Sequence, residues 1–215
     1  MPPYHPSEGD GLDQQIHYSN LMRLEDNVLW YAYSFGVHNY SDSDSNYVRN
    51  NEIVGNMIGT DVTGTVAIGN AWSGILLNGS SGGGSGNTVR GNLVSGNGEE
   101  GIAIYNGGSD NLVRGNRVGT DITGMGSLPN LLNGVDIEES DNNIIGGSSP
   151  GEGNLISGNL GNGVLIRNAS SGNTLLGNSI GIDASGTSAV GNSENGIEIT
   201  ESSHGSVVGG TAPGS

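Results

Sequence analysis

Asp136, Glu138, Arg167 and Glu198 are the residues of this sequence best placed for acid–base chemistry, once its repeats are aligned. Carboxylates held near one another can act as acid and base on a glycan. The same residues also read as a solvated sheet face, with Glu138 and Arg167 as a cross-strand pair contributing about 0.2–1 kcal/mol. A second group is Asp61, Asp121 and Asp183, spaced 60 and 62 residues apart in IGTDVTGT, VGTDITGM and IGIDASGT. They are the candidate calcium ligands. An Asx-type turn, with each carboxylate bonded to nearby backbone N–H groups, accounts for the recurrence without metal. Calcium needs six to eight oxygens with several carboxylates together, and each loop brings one. A third group is aromatic: Trp30, Tyr31, Tyr33, His38 and Tyr40 crowd the N-terminal part. They read as a sugar-stacking platform or as a plug packed under residues 1–21 that covers a solenoid end.

The elements that must position these residues are short and repetitive. GILL at 74–77 returns as GVDI at 134–137 and GIEI at 196–199, and GIAI at 101–104 returns as GVLI at 163–166. VSGN at 94–97 returns as ISGN at 156–159. The period is therefore about 61 residues and holds two similar coils. GVHNYSDSDSNYVRNN at 36–51 aligns without a gap on 101–116, and NVLWYAYSFG at 27–36 falls on 92–101. The repeat is expected over 22–215, with 1–21 as an N-terminal extension or cap.

Apolar pieces of two to four residues are too short for helices. In GIAIYN, Ile102 and Ile104 share one face while Ala103 and Tyr105 share the other. Such pieces are strands, separated by turns in which Gly and Asn supply positive φ. One coil of short strands cannot bury its apolar face, but stacked coils can, at about 4.8 Å per rung. The expected fold is all-β, a single-stranded right-handed parallel β-helix of about six rungs.

Its inward ladders should be Val37–Ile75–Ile102–Val135–Val164–Ile197 and Leu77–Ile104–Ile137–Ile166–Ile199. The outward columns should be His38–Leu76–Ala103–Asp136–Leu165–Glu198 and Tyr40–Asn78–Tyr105–Glu138–Arg167–Thr200. Asn92, Asn97, Asn116, Asn159 and Asn178 should sit at turns and stack.

These units, N-x-[VI]-x-G-N, I-S-G-N and G-[IV]-x-I, resemble the right-handed parallel β-helix repeats of the pectate lyase-like superfamily. The resemblance implies the fold and leaves the activity open, since the fold serves enzymes, adhesins and surface proteins alike. A lyase-like site would need a basic residue beside a calcium cluster. The chain has no lysine, and Arg90 and Arg114 belong to the repeat unit VRGN.

The net charge of −16, with every basic residue an arginine, excludes a nucleic-acid partner. It also argues against an anionic membrane, and no apolar run is long enough to insert into one. There are no cysteines, hence neither disulfides nor thiolate metal sites. The first residues hold neither a basic nor an apolar signal region. The C-terminal SVVGGTAPGS aligns with NIIGGSSPGE at 143–152, where the chain continues into another strand. A longer solenoid or end-to-end self-association would complete that coil. The expectation is a non-catalytic extracellular or cell-surface solenoid with a structural, adhesive or filament-forming role and no cofactor. The alternative is a polysaccharide lyase or hydrolase, or a piece of one, acting along the outward face.

Overall fold

A computed structural model of the chain describes residues 14–17, 23–29, 36–40, 50–80 and 84–209. Within them the chain winds through successive coils, each of three short strands. The first coil holds β1 (Gln14–His17), β2 (Arg23–Glu25) and β3 (Val28–Leu29), and the second β4 (Val37–Tyr40), β5 (Glu52–Val54) and β6 (Met57–Ile58). β7 (Ile75–Asn78), β8 (Thr88–Arg90) and β9 (Leu93–Val94) form the third. β10 (Ile102–Tyr105), β11 (Leu112–Arg114) and β12 (Arg117–Val118) form the fourth. β13 (Val135–Glu138), β14 (Ile144–Gly146) and β15 (Leu155–Ile156) form the fifth. β16 (Val164–Arg167), β17 (Thr174–Leu176) and β18 (Ser179–Ile180) form the sixth, followed by β19 (Ile197–Ile199) and β20 (Val207–Val208).

First, second and third strands stack separately into three parallel sheets of 7, 7 and 6 strands. The fold is therefore the parallel β-helix that the repeat predicts. Gln14–His17 pairs in register with Val37–Tyr40, so part of the segment expected as an extension is the first strand of a sheet.

Register in the first sheet follows the sequence ladders residue by residue, from Val37 opposite Ile75 to Val164 opposite Ile197. Ile75, Ile102, Val135 and Val164 are wholly buried, as are Leu77, Ile104, Ile137 and Ile166. Ile53, Val89, Val113 and Ile145 from the second sheet and Ile58, Val94, Val118 and Ile156 from the third complete the core. Each contributes about 1.5–3 kcal/mol by burial. Removing one methylene at the centre of a ladder tests this packing. Ile137→Val should lower unfolding stability by about 1 kcal/mol in urea titration. A neutral result would mean that the ladder is loosely packed.

The gapless alignment of 36–51 on 101–116 holds only in its first part. Asn51 stacks on Asn87, which stacks on Asn111; Asn56 follows the same column as Asn92 and Asn116. The physical reason is turn length. Between the first and second strands, 11, 9 and 6 residues separate Tyr40 from Glu52, Asn78 from Thr88 and Tyr105 from Leu112. Register constrains the strands and leaves this turn free to vary.

The turns between strands carry asparagine ladders. In one, each amide oxygen accepts both the backbone N–H and the side-chain N–H of the asparagine one coil before it. Asn92 to Asn116 and Asn116 to Asn154 are such steps, at 2.9–3.0 Å. A second ladder runs Asn51–Asn87–Asn111–Asn143–Asn173 and a third Asn70–Asn97–Asn130–Asn159–Asn192. The glycine of each V-x-G-N unit makes the corner between second and third sheets. Gly115 has φ +63° there, a conformation that other side chains rarely adopt.

Candidate functional site

The first sheet brings Asp136, Glu138 and Arg167 together. Asp136 lies opposite Leu165 and Glu138 opposite Arg167, on adjacent rungs. Arg167 Nε donates to Asp136 Oδ1 at 3.2 Å, and Nη2 reaches Glu138 Oε2 at 2.8 Å. The guanidinium also lies 6.0 Å from the centroid of the Tyr105 ring, one rung beyond Glu138. The second oxygens are occupied too. Asn133 Nδ2 donates to Asp136 Oδ2 at 3.1 Å, and Asn168 Nδ2 to Glu138 Oε1 at 2.6 Å.

The expected solvated outer face is corrected here. Leu76, Ala103 and Asp136 occupy outward positions, and all three are buried, Asp136 at 0% exposure. The turn leading into the strand meets that column at Asp136, through Asn133, while Leu165 and Glu198 further along the column are only half-buried. The last side chains of these turns are Ser73, Glu100, Asn133, Asn162 and Asn195, two residues before each ladder residue. Glu100 is itself buried, and Ser73 donates to its Oε2 at 2.9 Å. Burial pushes the Asp136 carboxyl up to about 6. The Arg167 hydrogen bond and charge pull it down, while Glu100 and Glu138 push it up again. Burial, with Asp136 and Glu100 nearby, also raises the Tyr105 hydroxyl and keeps it protonated. Glu99 is raised by burial and by Glu100.

Glu198 is not part of this cluster. Leu165 stands between it and Asp136 in the column. It lines instead an open groove of about 340 Å³ with Leu132, Leu160, Leu165, Arg167, Glu194 and Glu201. Asn195 Nδ2 holds Glu198 at 3.3 Å, and Asn162 Nδ2 holds Glu194 at 3.1 Å.

The three loop aspartates are not brought together either. Each closes its own turn. Asp61 Oδ1 accepts from the backbone of Thr65 and Val66, and Oδ2 from Thr63 Oγ1. Asp121 Oδ1 accepts from Thr123 N, Thr123 Oγ1 and Met125 N, and Asp183 Oδ1 from Ser185 Oγ, Thr187 N and Ser188 N. These bonds favour the charged form: the Thr63 hydroxyl for Asp61 and the Ser185 hydroxyl for Asp183 are the leading causes of lowered values. In Asp121 burial opposes, and bonds from Thr123 and Met125 outweigh it. The loops stack directly on every second coil, with Ile122 N on Gly64 O and Ala184 N on Gly124 O at 2.9 Å. That explains the two-coil period. Among the described residues no group of three or more His, Asp or Glu is placed to hold a metal ion.

Trp30, Tyr31 and Tyr33 lie outside the described residues. The backbone of His38 and Tyr40 falls in β4, and their side chains lie outside the description. Glu100, Asn133, Glu194 and Glu201 were not singled out in the sequence. The repeat carried a signal for two of them: counting two residues back from each ladder position gives Glu100 and Asn133.

Three sheets of in-register parallel strands with stacked asparagine turns define a parallel β-helix. By fold the chain is a right-handed parallel β-helix, and a family model described as a right handed beta helix region matches residues 15–118 of it. No curated protein matches it. Among solved structures it is similar to a mutant of the periplasmic alginate epimerase AlgG, with a TM-score of 0.49 and 15% identity. That match covers 90% of this chain and 46% of the epimerase, so the chain spans less than half of that protein's length. No helix among the described residues is long and apolar enough to cross a membrane.

Proposed function

We propose that the chain is a non-catalytic β-solenoid module of the extracellular space or cell surface, with a structural or adhesive role. The observation that supports this most is the condition of Asp136 and Glu138. A general acid or base must come within hydrogen-bonding reach of the reacting atoms. Asp136 has no exposed surface and both of its oxygens are bonded. Glu138 is held on both oxygens as well. An arginine shared by two carboxylates over a tyrosine ring fixes a sheet face more readily than it moves a proton. The loop aspartates are likewise engaged within their own turns, each through its Oδ1.

One observation favours a second reading, a polysaccharide-acting enzyme. The groove keeps Glu194, Glu198 and Glu201 clear of the Arg167 cluster's ion pairs. The test uses polygalacturonate, alginate and neutral glucans, followed by reducing ends, absorbance of unsaturated ends and epimer ratio by NMR. No turnover is expected from the purified chain. Turnover that disappears in Glu198→Gln, with the circular dichroism spectrum unchanged, would establish the enzyme instead.

A further inference from the structure

We infer that the groove beside the first sheet docks a basic, aliphatic segment of another protein. This rests on the module reading only in treating the groove as a docking surface.

The groove has two kinds of lining. Leu132, Leu160 and Leu165 line it, the first two 44% and 48% exposed. Glu194, Glu198 and Glu201 line the same groove. These leucines give the groove an apolar strip beside its carboxylates, and a contiguous exposed apolar strip rimmed by polar groups is the kind of surface that docks a partner. The carboxylates are oriented without being neutralised. Amides of Asn162 and Asn195 hold Glu194 and Glu198, and an amide offers no positive charge. Within the lining, Arg167 is the ion-pair partner of Asp136 and Glu138. The one cation in the lining is therefore already engaged twice. A cleft lined with one sign of charge and low-dielectric walls focuses its field on an incoming partner.

The partner must then be cationic and carry aliphatic surface. Lysine and arginine side chains bring both, an apolar stem and a charged head. An amino-sugar polymer would also bring charge. Its pyranose faces pack best on aromatic rings, and no aromatic residue lines the groove. Its hydroxyls could donate to the carboxylates, but their acceptor side would find few free amide donors. Asn133 is instead spent on Asp136 and Asn162, and Asn162 on Glu194. A polyuronate would be repelled.

The test is fluorescence anisotropy with a short labelled peptide of lysines and leucines, against the same peptide with glutamate for lysine. The first should bind, more weakly at higher salt, and the second should not. Glu198→Gln should weaken binding about fivefold, the scale of one partly exposed ion pair. Leu160→Ser should weaken it too, and Asp110→Asn, an equal loss of charge at an exposed site elsewhere, should leave it unchanged. Glu194→Gln serves as a second variant should Glu198→Gln disturb folding. Equal weakening by Asp110→Asn would reduce the binding to general attraction by an acidic surface and overturn the proposal. So would no binding at all, or Glu198-dependent binding of deacetylated glucosamine oligomers in place of the peptide. Failure of peptide binding leaves the no-turnover expectation standing. Glycan turnover would instead sink the module reading whatever the peptide does.

Discussion

Arg167→Met is expected to destabilise the solenoid by about 3–5 kcal/mol near pH 8, and by much less near pH 4. The reason is Asp136. In the folded chain it has no exposed surface, and its bonds come from Arg167 and Asn133. Removing the arginine strands a buried carboxylate with one neutral donor. The pH dependence follows from the direction of the shift. Burial raises the folded-state carboxyl from 3.8 to about 6, even with the arginine in place. A group raised on folding favours the folded state fully below its unfolded value, and that contribution is lost as pH rises through the folded value. In the native chain Asp136 therefore lowers stability between pH 4 and 6, by about 3 kcal/mol for a shift of roughly two units. Without Arg167 the carboxyl rises further, so the loss continues to higher pH. Asp136→Asn in the native background should flatten the stability profile between pH 4 and 6. Added to Arg167→Met it should restore much of the loss at pH 8. Urea midpoints across pH for the four proteins decide the matter. An Arg167→Met penalty that is the same at pH 4 and pH 8, or that Asp136→Asn fails to relieve, would show that the guanidinium acts through packing instead.

The strand ladders were legible in the sequence because a stacked coil repeats its apolar alternation with every turn. GIAI and GVLI stand on either side of GVDI, in register with it, because Ile102, Val135 and Val164 must all point inward. The Glu138–Arg167 pair was legible for the same reason, since register carries outward neighbours along with inward ones. The burial of Asp136 was not. Alternation says which way a side chain points and nothing about what lies above it. The cover comes from the preceding turn, whose length and path no periodicity fixes. The same freedom defeated the alignment of 36–51, where strand β4 was placed correctly and Asn51 was put one asparagine column away from its own. The loop aspartates were legible as turn formers through their Thr and Ser neighbours. That Gly64 meets Ile122 two coils on, and so sets the two-coil period, becomes visible only in three dimensions.

The asparagine ladders carry the other large effect. Asn116→Ala should lower stability by about 3–5 kcal/mol, more than most core truncations of similar size. Asn116 is buried, and its amide serves neighbours on both sides. Its oxygen accepts the backbone and side-chain N–H of Asn92. Its nitrogen donates to Val89 O at 3.0 Å and to Asn154 Oδ1 at 2.9 Å. Alanine leaves the Asn92 donors and the Val89 carbonyl buried without partners from this side chain, and each such group costs about 1–3 kcal/mol. Asn116→Asp separates acceptor from donor. The carboxylate still accepts from Asn92, but it has nothing to give Val89 or Asn154 and faces the Asn154 oxygen. Its loss should therefore be large at pH 7 and smaller in mild acid, where a protonated carboxyl regains one donor. Asn178→Ala, at a half-buried position of the same column, should cost less, because water can reach the groups it abandons. Equal losses at 116 and 178 in urea titration, or a loss below about 1 kcal/mol for Asn116→Ala, would mean that the ladder decorates the turns and that the apolar core alone sets the stacking.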